Sequence, residues 1–189
     1  NGIADFDNDG YKDLFAACAS ILDNSEEIDH LPSKLPNLVL RNLGNGKFDN
    51  VSADAGDSFQ MPGAHRGVAI GDLDNDGRLD VVVTNLNAAP EVFLNRSPGS
   101  NHWILLRLVG RKSNRDGLGA KVVVTPAAGP VQYNYAGTSA GLSASSDRRV
   151  HFGVGASTRI DRIEITWPGG RRQTLANVGV DQILTVREP

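Results

Sequence analysis

The sequence predicts an all-β protein made of incomplete β-propeller-type blades followed by a small β-sandwich. Two observations carry this expectation. A segment near the start recurs once further along the chain, with short apolar runs and turn residues around each copy. Beyond about residue 100, strand-like runs follow one another with turn signals between them and no convincing amphipathic helix.

The repeat is specific. Ala4-Asp5-Phe6-Asp7-Asn8-Asp9-Gly10-Tyr11-Lys12-Asp13-Leu14-Phe15 aligns with Gly71-Asp72-Leu73-Asp74-Asn75-Asp76-Gly77-Arg78-Leu79-Asp80-Val81-Val82, and every Asp, the Asn and the Gly coincide. From Asp5 to Asp72 the offset is 67 residues. Each copy has a second echo, Leu38-Val39-Leu40-Arg41-Asn42 and Val92-Phe93-Leu94-Asn95-Arg96, which reads as an outer strand. Gly67 to Ile70 leads into the second Asp loop and Val81 to Thr84 leads out of it. Asn42-Leu43-Gly44-Asn45-Gly46 reads as a turn. The polar segment Asp23 to Pro36 lengthens the first unit and has the composition of a surface loop. Short antiparallel strands repeated at this period suit propeller blades. Closure takes about four to eight blades, so residues 1–99 need further blades or partners.

The texture changes near Ser97-Pro98-Gly99-Ser100, which divides the chain into 1–99 and 100–189. In the second part Trp103 to Val109, Ala120 to Thr125, Val131 to Tyr135, Arg149 to Val154, Ile160 to Trp167 and Gln182 to Arg187 read as strands. Ile163, Ile165 and Trp167 fall at every second place, the period of a strand with one buried face. Asp116-Gly117 and Pro168-Gly169-Gly170 are turn signals. About six or seven short strands suit a small sandwich.

The bulk composition excludes several classes. A net charge of −3 with the acids concentrated in two places lacks the basic face of a nucleic-acid binder. No run of about 18 apolar residues exists, so no helical membrane span is expected. The single cysteine, Cys18, cannot form an intrachain disulfide and reads as a small buried thiol. The chain begins Asn1-Gly2-Ile3 and its one methionine is Met61, which implies a processed product or a fragment.

The chemistry lies in the two Asp loops. Asp5, Asp7, Asp9 and Asp13 crowd four carboxylates into nine residues, a repulsion that a hard divalent cation reverses. Ca²⁺ takes six to eight oxygens, which side chains at positions 1, 3 and 5 and a carbonyl at position 7 supply. The expected ligands are Asp5, Asp7, Asp9, the carbonyl of Tyr11 and Asp13 in one loop. In the other they are Asp72, Asp74, Asp76, the carbonyl of Arg78 and Asp80. Gly10 and Gly77 permit the positive φ that wraps the backbone round an ion. An EF-hand needs Glu at position 12 and a helix after it, whereas Ala16 and Val83 stand there. Zinc would want His or Cys, and Mg²⁺ prefers fewer protein ligands. The alternative is that Asp-Asn-Asp-Gly is only a good turn, which two copies sharing all five ligand positions oppose.

These loops and their flanks resemble FG-GAP or VCBS-type repeats of integrin-α-like propellers. The second part resembles the ASPIC/UnbV domain of the cartilage acidic protein family. The residues that carry this are Asn101-His102-Trp103, Gly110 to Ala120, Ser139-Ala140-Gly141-Leu142-Ser143-Ala144-Ser145, His151-Phe152-Gly153-Val154-Gly155 and Ile165-Thr166-Trp167-Pro168-Gly169-Gly170. The resemblance implies a calcium-binding protein that is extracellular, at the cell surface or periplasmic.

No catalytic constellation is legible: His30, His65, His102 and His151 are scattered, and no nucleophile elbow, zinc-protease motif or phosphate loop occurs. His102 and His151 read as structural, Ser139 to Ser146 as a turn-rich connection, and Lys112 to Ala120 as a hairpin connection. The leading expectation is a non-catalytic recognition, adhesion or assembly module with two structural Ca²⁺ ions. Its partner would be a protein, a glycan or further blades or copies of the same protein, without nucleic acid or a membrane span. A carbohydrate-binding module is the second reading, although Trp103 and Trp167 read as core residues. An accessory protein or enzyme of a secreted biosynthetic or degradative system is the third. Asn50-Val51-Ser52 and Asn95-Arg96-Ser97 match the glycosylation sequon.

Overall fold

The computed structural model describes residues 1–22, 24–28, 30–139, 141 and 143–189. Asp23, which opens the expected surface loop, and Ala140 and Leu142 of the small-residue motif lie outside the described residues. Among those residues the fold is all-β, with one four-residue helix, α1 (Ser25–Ile28), inside the polar segment of the first unit.

The first unit is an antiparallel meander of four strands: β1 (Gly2–Ala4), β2 (Asp13–Ala16), β3 (Leu38–Asn42) and β4 (Phe48–Asn50). The second is a three-stranded meander of β5 (His65–Gly71), β6 (Asp80–Asn85) and β7 (Ala88–Phe93). The duplicated sequence folds in duplicate register, for Ala4 pairs with Asp13 and Gly71 with Asp80. Leu14 pairs with Leu40 just as Val81 pairs with Phe93. The second echo is shorter than its sequence suggests, since β7 ends at Phe93 and leaves Leu94, Asn95 and Arg96 beyond the strand.

The two units share one core of Ala4, Phe15, Phe59, Val68, Ile70, Leu79, Val81 and Val83. Phe59, from the 3-10 turn Asp57–Gln60, is wedged between the sheets, its ring 5.7 Å from that of Phe15 and 5.3 Å from that of Phe93. Tilted and edge-on rings of this kind add to what burial alone gives. At the inner edge, a Cβ on Gly2 would overlap Ile70, so the absence of a side chain lets β1 lie against β5.

The second part is a sandwich of seven strands. They are β8 (His102–Val109), β9 (Lys121–Pro126), β10 (Gln132–Tyr135), β11 (Val150–Gly155), β12 (Arg159–Thr166), β13 (Arg172–Gly179) and β14 (Gln182–Arg187). One sheet runs β10-β9-β12-β13, and the other runs β11-β8-β14 with β14 parallel to β8. Ile104, Leu106, Val150 and Phe152 from one sheet meet Val122, Val124, Ile163 and Ile165 from the other. Sequence reasoning missed β13. Its large apolar residues, Leu175 and Val178, are three apart rather than two, and Asn177 between them has φ 52°. Cys18 lies past the end of β2 and is half-buried, which corrects the expectation of a core thiol. No helix among the described residues is long and apolar enough to cross a membrane.

Candidate metal centres

Each Asp loop is the hairpin connection between two inner strands, β1 to β2 and β5 to β6. A chain reversing over eight residues needs left-handed positions. Asn8 and Asn75 supply them at φ 59° and 62°, Gly10 and Gly77 at 94° and 85°.

The same hydrogen bonds recur in both loops. Asp5 Oδ1 accepts the N–H of Asp9 at 3.1 Å and Asp72 Oδ1 that of Asp76 at 3.1 Å. Their second oxygens accept Gly10 at 2.9 Å and Gly77 at 3.0 Å. Asp13 Oδ2 accepts Phe6 N–H and Asp80 Oδ2 accepts Leu73 N–H, at 2.9 and 2.8 Å. Asp13 Oδ1 and Asp80 Oδ1 reach the outer strand region, accepting the N–H groups of Asn42 and Asn95 at 2.8 Å each. Backbone donors thus fix the orientation of the carboxylates.

The result is two clusters, Asp5-Asp7-Asp13 and Asp72-Asp74-Asp80, within each of which one ligand oxygen per residue lies within 4.8 Å of the others. Oxygens about 2.3–2.6 Å from one Ca²⁺ span at most about 5 Å, so the spacing fits a single ion. Asp9 and Asp76 are not in these clusters. Their Oδ1 atoms accept the N–H groups of Tyr11 and Arg78 at 2.8 and 2.9 Å, and the Arg78 guanidinium also donates to Asp76 Oδ2 at 3.1 Å.

Electrostatics describe the same problem that the sequence posed. Burial, with the charges of Asp9, Asp7 and Asp13 adding to it, pushes the Asp5 carboxyl up to about 8. Burial likewise raises Asp13 to about 6 and shifts Asp72 upward. A buried carboxylate without a counter-charge holds its proton, and a divalent cation removes that penalty. Asp74 moves the other way because Arg96 hydrogen-bonds it.

Sequence reasoning missed the arginines. Arg41, on β3, places Nε 2.7 Å from Asp7 Oδ2. Arg96 places its two terminal nitrogens 2.6 Å from Asp74 Oδ2 and 2.9 Å from Asp76 Oδ2. Both sit in the echoed outer segments, beside Asn42 and Asn95; that adjacency was the available signal.

It also missed what covers the loops. The sandwich is seated directly on both. Gly155 N–H donates to the Asn8 carbonyl at 2.9 Å, and Asn101 Nδ2 to the Asp7 carbonyl at 2.9 Å. A Cβ on Gly153 would overlap Asp5 and Asn8. Arg149 donates to Asn75 Oδ1 at 2.7 Å and the Asp72 carbonyl at 2.6 Å, while its Nε holds Asp147 at 2.5 Å. Trp103 lies over Gly77 instead of filling the sandwich interior, whereas Trp167 is fully buried there. His151 Nε2 donates to the Gly77 carbonyl at 3.2 Å, and burial lowers its imidazole to about 4, so it is neutral and structural. The side-chain amide of Asn95 is committed to the carbonyls of Phe6 and Leu79, so it is not presented as a glycan acceptor.

Residues 5–83 match the family model described as an FG-GAP-like repeat, and residues 110–189 the one described as ASPIC and UnbV. Over 192 residues the chain is 24% identical to cartilage acidic protein 1 of Homo sapiens, covering 98% of this chain and 27% of that protein. It is 26% identical over 140 residues to cartilage acidic protein 1 of Xenopus tropicalis, covering 71% and 21%. A stretch of 63 residues is 40% identical to cartilage acidic protein 1 of Mus musculus, covering 33% and 9%. The chain spans about a quarter of the human relative's length. Both halves of the resemblance carried by the motifs are matched: this chain carries an FG-GAP-like repeat region followed by an ASPIC and UnbV domain.

Proposed function

We propose that this chain is a non-catalytic recognition or assembly module, working outside the cytoplasm, in which two Ca²⁺ ions hold the blades and the sandwich in one arrangement. The observation that supports it is the coincidence of sites: the two carboxylate clusters are also the surface on which the sandwich rests. Asp5, Asp7 and Asp13 would hold one ion, and Asp72, Asp74 and Asp80 the other. Each ion supplies positive charge where three aimed carboxylates converge. The residues of this chain do the rest: backbone N–H groups fix the carboxylates, and Arg149, Asn101 and Gly155 read the loop backbone from the sandwich side. Such an ion stabilises the assembled form by about 2.7 kcal/mol per site at a hundredfold excess over Kd. The test is thermal unfolding with bound-metal analysis, with and without chelator. About two Ca²⁺ per chain and a higher midpoint, both reduced in Asp74→Ala, support the reading; no bound ion and no dependence on chelator would sink it.

A glycan partner has one observation in its favour. Tyr133 and Tyr135 are well exposed on β10, their rings edge-on 6.3 Å apart with Lys121 above Tyr133. Aromatic faces beside a cation suit a sugar surface. A glycan array with Tyr133→Ala as control decides between this and a protein partner.

A further inference from the structure

The two Asp loops share their backbone geometry but not their neighbouring cations. At the first, Arg41 of β3 reaches Asp7 Oδ2 through Nε at 2.7 Å, and its Nη2 stops 4.0 Å from Asp9 Oδ2. Lys12, the cation within that loop, is exposed. At the second, Arg96 spans two acids at once, with one terminal nitrogen 2.6 Å from Asp74 Oδ2 and the other 2.9 Å from Asp76 Oδ2. Arg78 adds a further bond, 3.1 Å to the same oxygen of Asp76, whereas the first loop has Tyr11 at that position. Arg149 then donates to the Asp72 carbonyl and to Asn75 Oδ1 from the sandwich side. Among the described residues, three guanidinium groups therefore bear on the second loop and one on the first.

These contacts fall on carboxylates that an ion would need. Asp7 and Asp74 belong to the two clusters, whereas Asp9 and Asp76, expected as ligands from the sequence, stand outside them. Both of the latter are turned toward the N–H group two residues on, that of Tyr11 or Arg78. To bring Asp9 to an ion disturbs only the 4.0 Å pair with Arg41. To bring Asp76 to one gives up bonds to Arg96 and Arg78, and Arg96 holds Asp74 as well. Hydrogen bonds between ionised groups are about twice as strong as neutral ones, and a guanidinium beside a divalent ion repels it. Both effects oppose calcium more at the second loop than at the first.

We infer that the loops are unequal calcium sites, the first filling before the second, and that Arg96 sets the weaker affinity of the second by occupying Asp74 and Asp76 in an ion's place. This rests on the proposal that both loops take Ca²⁺ and goes beyond it by ranking them and naming the competitor. The Arg96 side chain is 57% exposed, so it can leave the carboxylates for solvent without opening the core. The first ion is then the standing one, and the second answers to changes in calcium concentration.

The test is a Ca²⁺ titration of the full chain followed by amide NMR. The N–H groups of Gly10 and Gly77, which donate to Asp5 and Asp72, report the two loops separately. In the unmodified chain the Gly10 signal should move first and Gly77 at higher Ca²⁺. Arg96→Gln should tighten the second site by about tenfold, the size expected for one charged hydrogen bond, and draw the two transitions together. Arg41→Gln, the counterpart change at the first loop, should leave their order as it is. The sign separates the alternatives. If Arg96 instead steadies the carboxylates round a bound ion, Arg96→Gln weakens the second site, and that result overturns the inference. Gly77 moving before Gly10, or together with it, in the unmodified chain overturns it too and needs no variant to fold. If neither glycine responds to Ca²⁺, the calcium reading fails and the ranking falls with it, an outcome distinct from two sites that fill in another order.

Discussion

The side-chain amide of Asn8, at the fourth position of the first Asp loop, donates to the carbonyl of Gly77, at the sixth position of the second, over 3.1 Å. The same carbonyl accepts from His151 of the sandwich at 3.2 Å. One backbone oxygen thus joins both loops and the second domain. An ion bound at either loop, as proposed, would therefore act on the geometry of the other.

Calcium binding is accordingly expected to be coupled. Asp74→Ala should weaken the first loop's ion as well as remove the second. Asn8→Ala should leave two sites but reduce the coupling, whose usual size is about 1–3 kcal/mol. Calorimetric titration reads both; two identical, independent sites in the unmodified chain would contradict the expectation.

Gly77→Ala tests how closely the sandwich sits on the loops. Its Cβ would overlap the Trp103 ring at a position whose φ is 85°. The change should cost about 2 kcal/mol or more in denaturant unfolding. It should also expose the 97–100 connection to limited proteolysis. Gly46→Ala, where a Cβ meets nothing within 4 Å, is the control for backbone strain alone.

Arg149→Ala removes a side chain that binds Asn75, the Asp72 carbonyl and Asp147 together. Hydrogen bonds to charged groups contribute about 1.5–3 kcal/mol, so the midpoint in urea should fall accordingly. Because the contacts are to the second loop, the fall should be accompanied by weaker Ca²⁺ binding at that loop, measured by titration.

Glu188 sets the acid limb of sandwich stability. Its Oε2 accepts the N–H groups of Arg111, Lys112 and Ser113 at 2.8 Å each, and Ser113 Oγ donates to Oε1. Those bonds, led by Ser113, hold its carboxyl down at about 2, below the ordinary 4.5. A depressed carboxylate contributes stability above its unfolded pKa and loses it as the pH falls toward the folded one. Thermal midpoints should therefore drop between about pH 4.5 and 2, and Glu188→Gln should be less stable at neutral pH with a flatter acid limb. The loop Lys112 to Ala120 is thus tied down by the chain's penultimate residue.

Much of the fold is legible locally. Alternation at Ile163, Ile165 and Trp167 marks a half-buried strand whatever surrounds it, and all three prove buried. The duplicated loop implies a duplicated register because identical short-range bonds close identical hairpins. Where local period fails, so does the reading: Leu175 and Val178 are spaced for no regular strand, and β13 goes unseen. The carboxylates were visible as a pattern, but Arg41 and Arg96 were not, since each reaches its loop from many residues away, Arg41 from β3 and Arg96 from just past β7.

The sequence by itself determined the class of fold, the two hairpin loops and the crowding of acids within them, because turn chemistry, strand period and charge spacing act over a few residues. Only the tertiary structure decided that Trp103, His151 and Arg149 converge on the loops, and that His65 meets Asn37 and Glu91. Those contacts join residues 26 to 77 positions apart. No local rule fixes them, since they depend on how one packed sheet comes to rest against another.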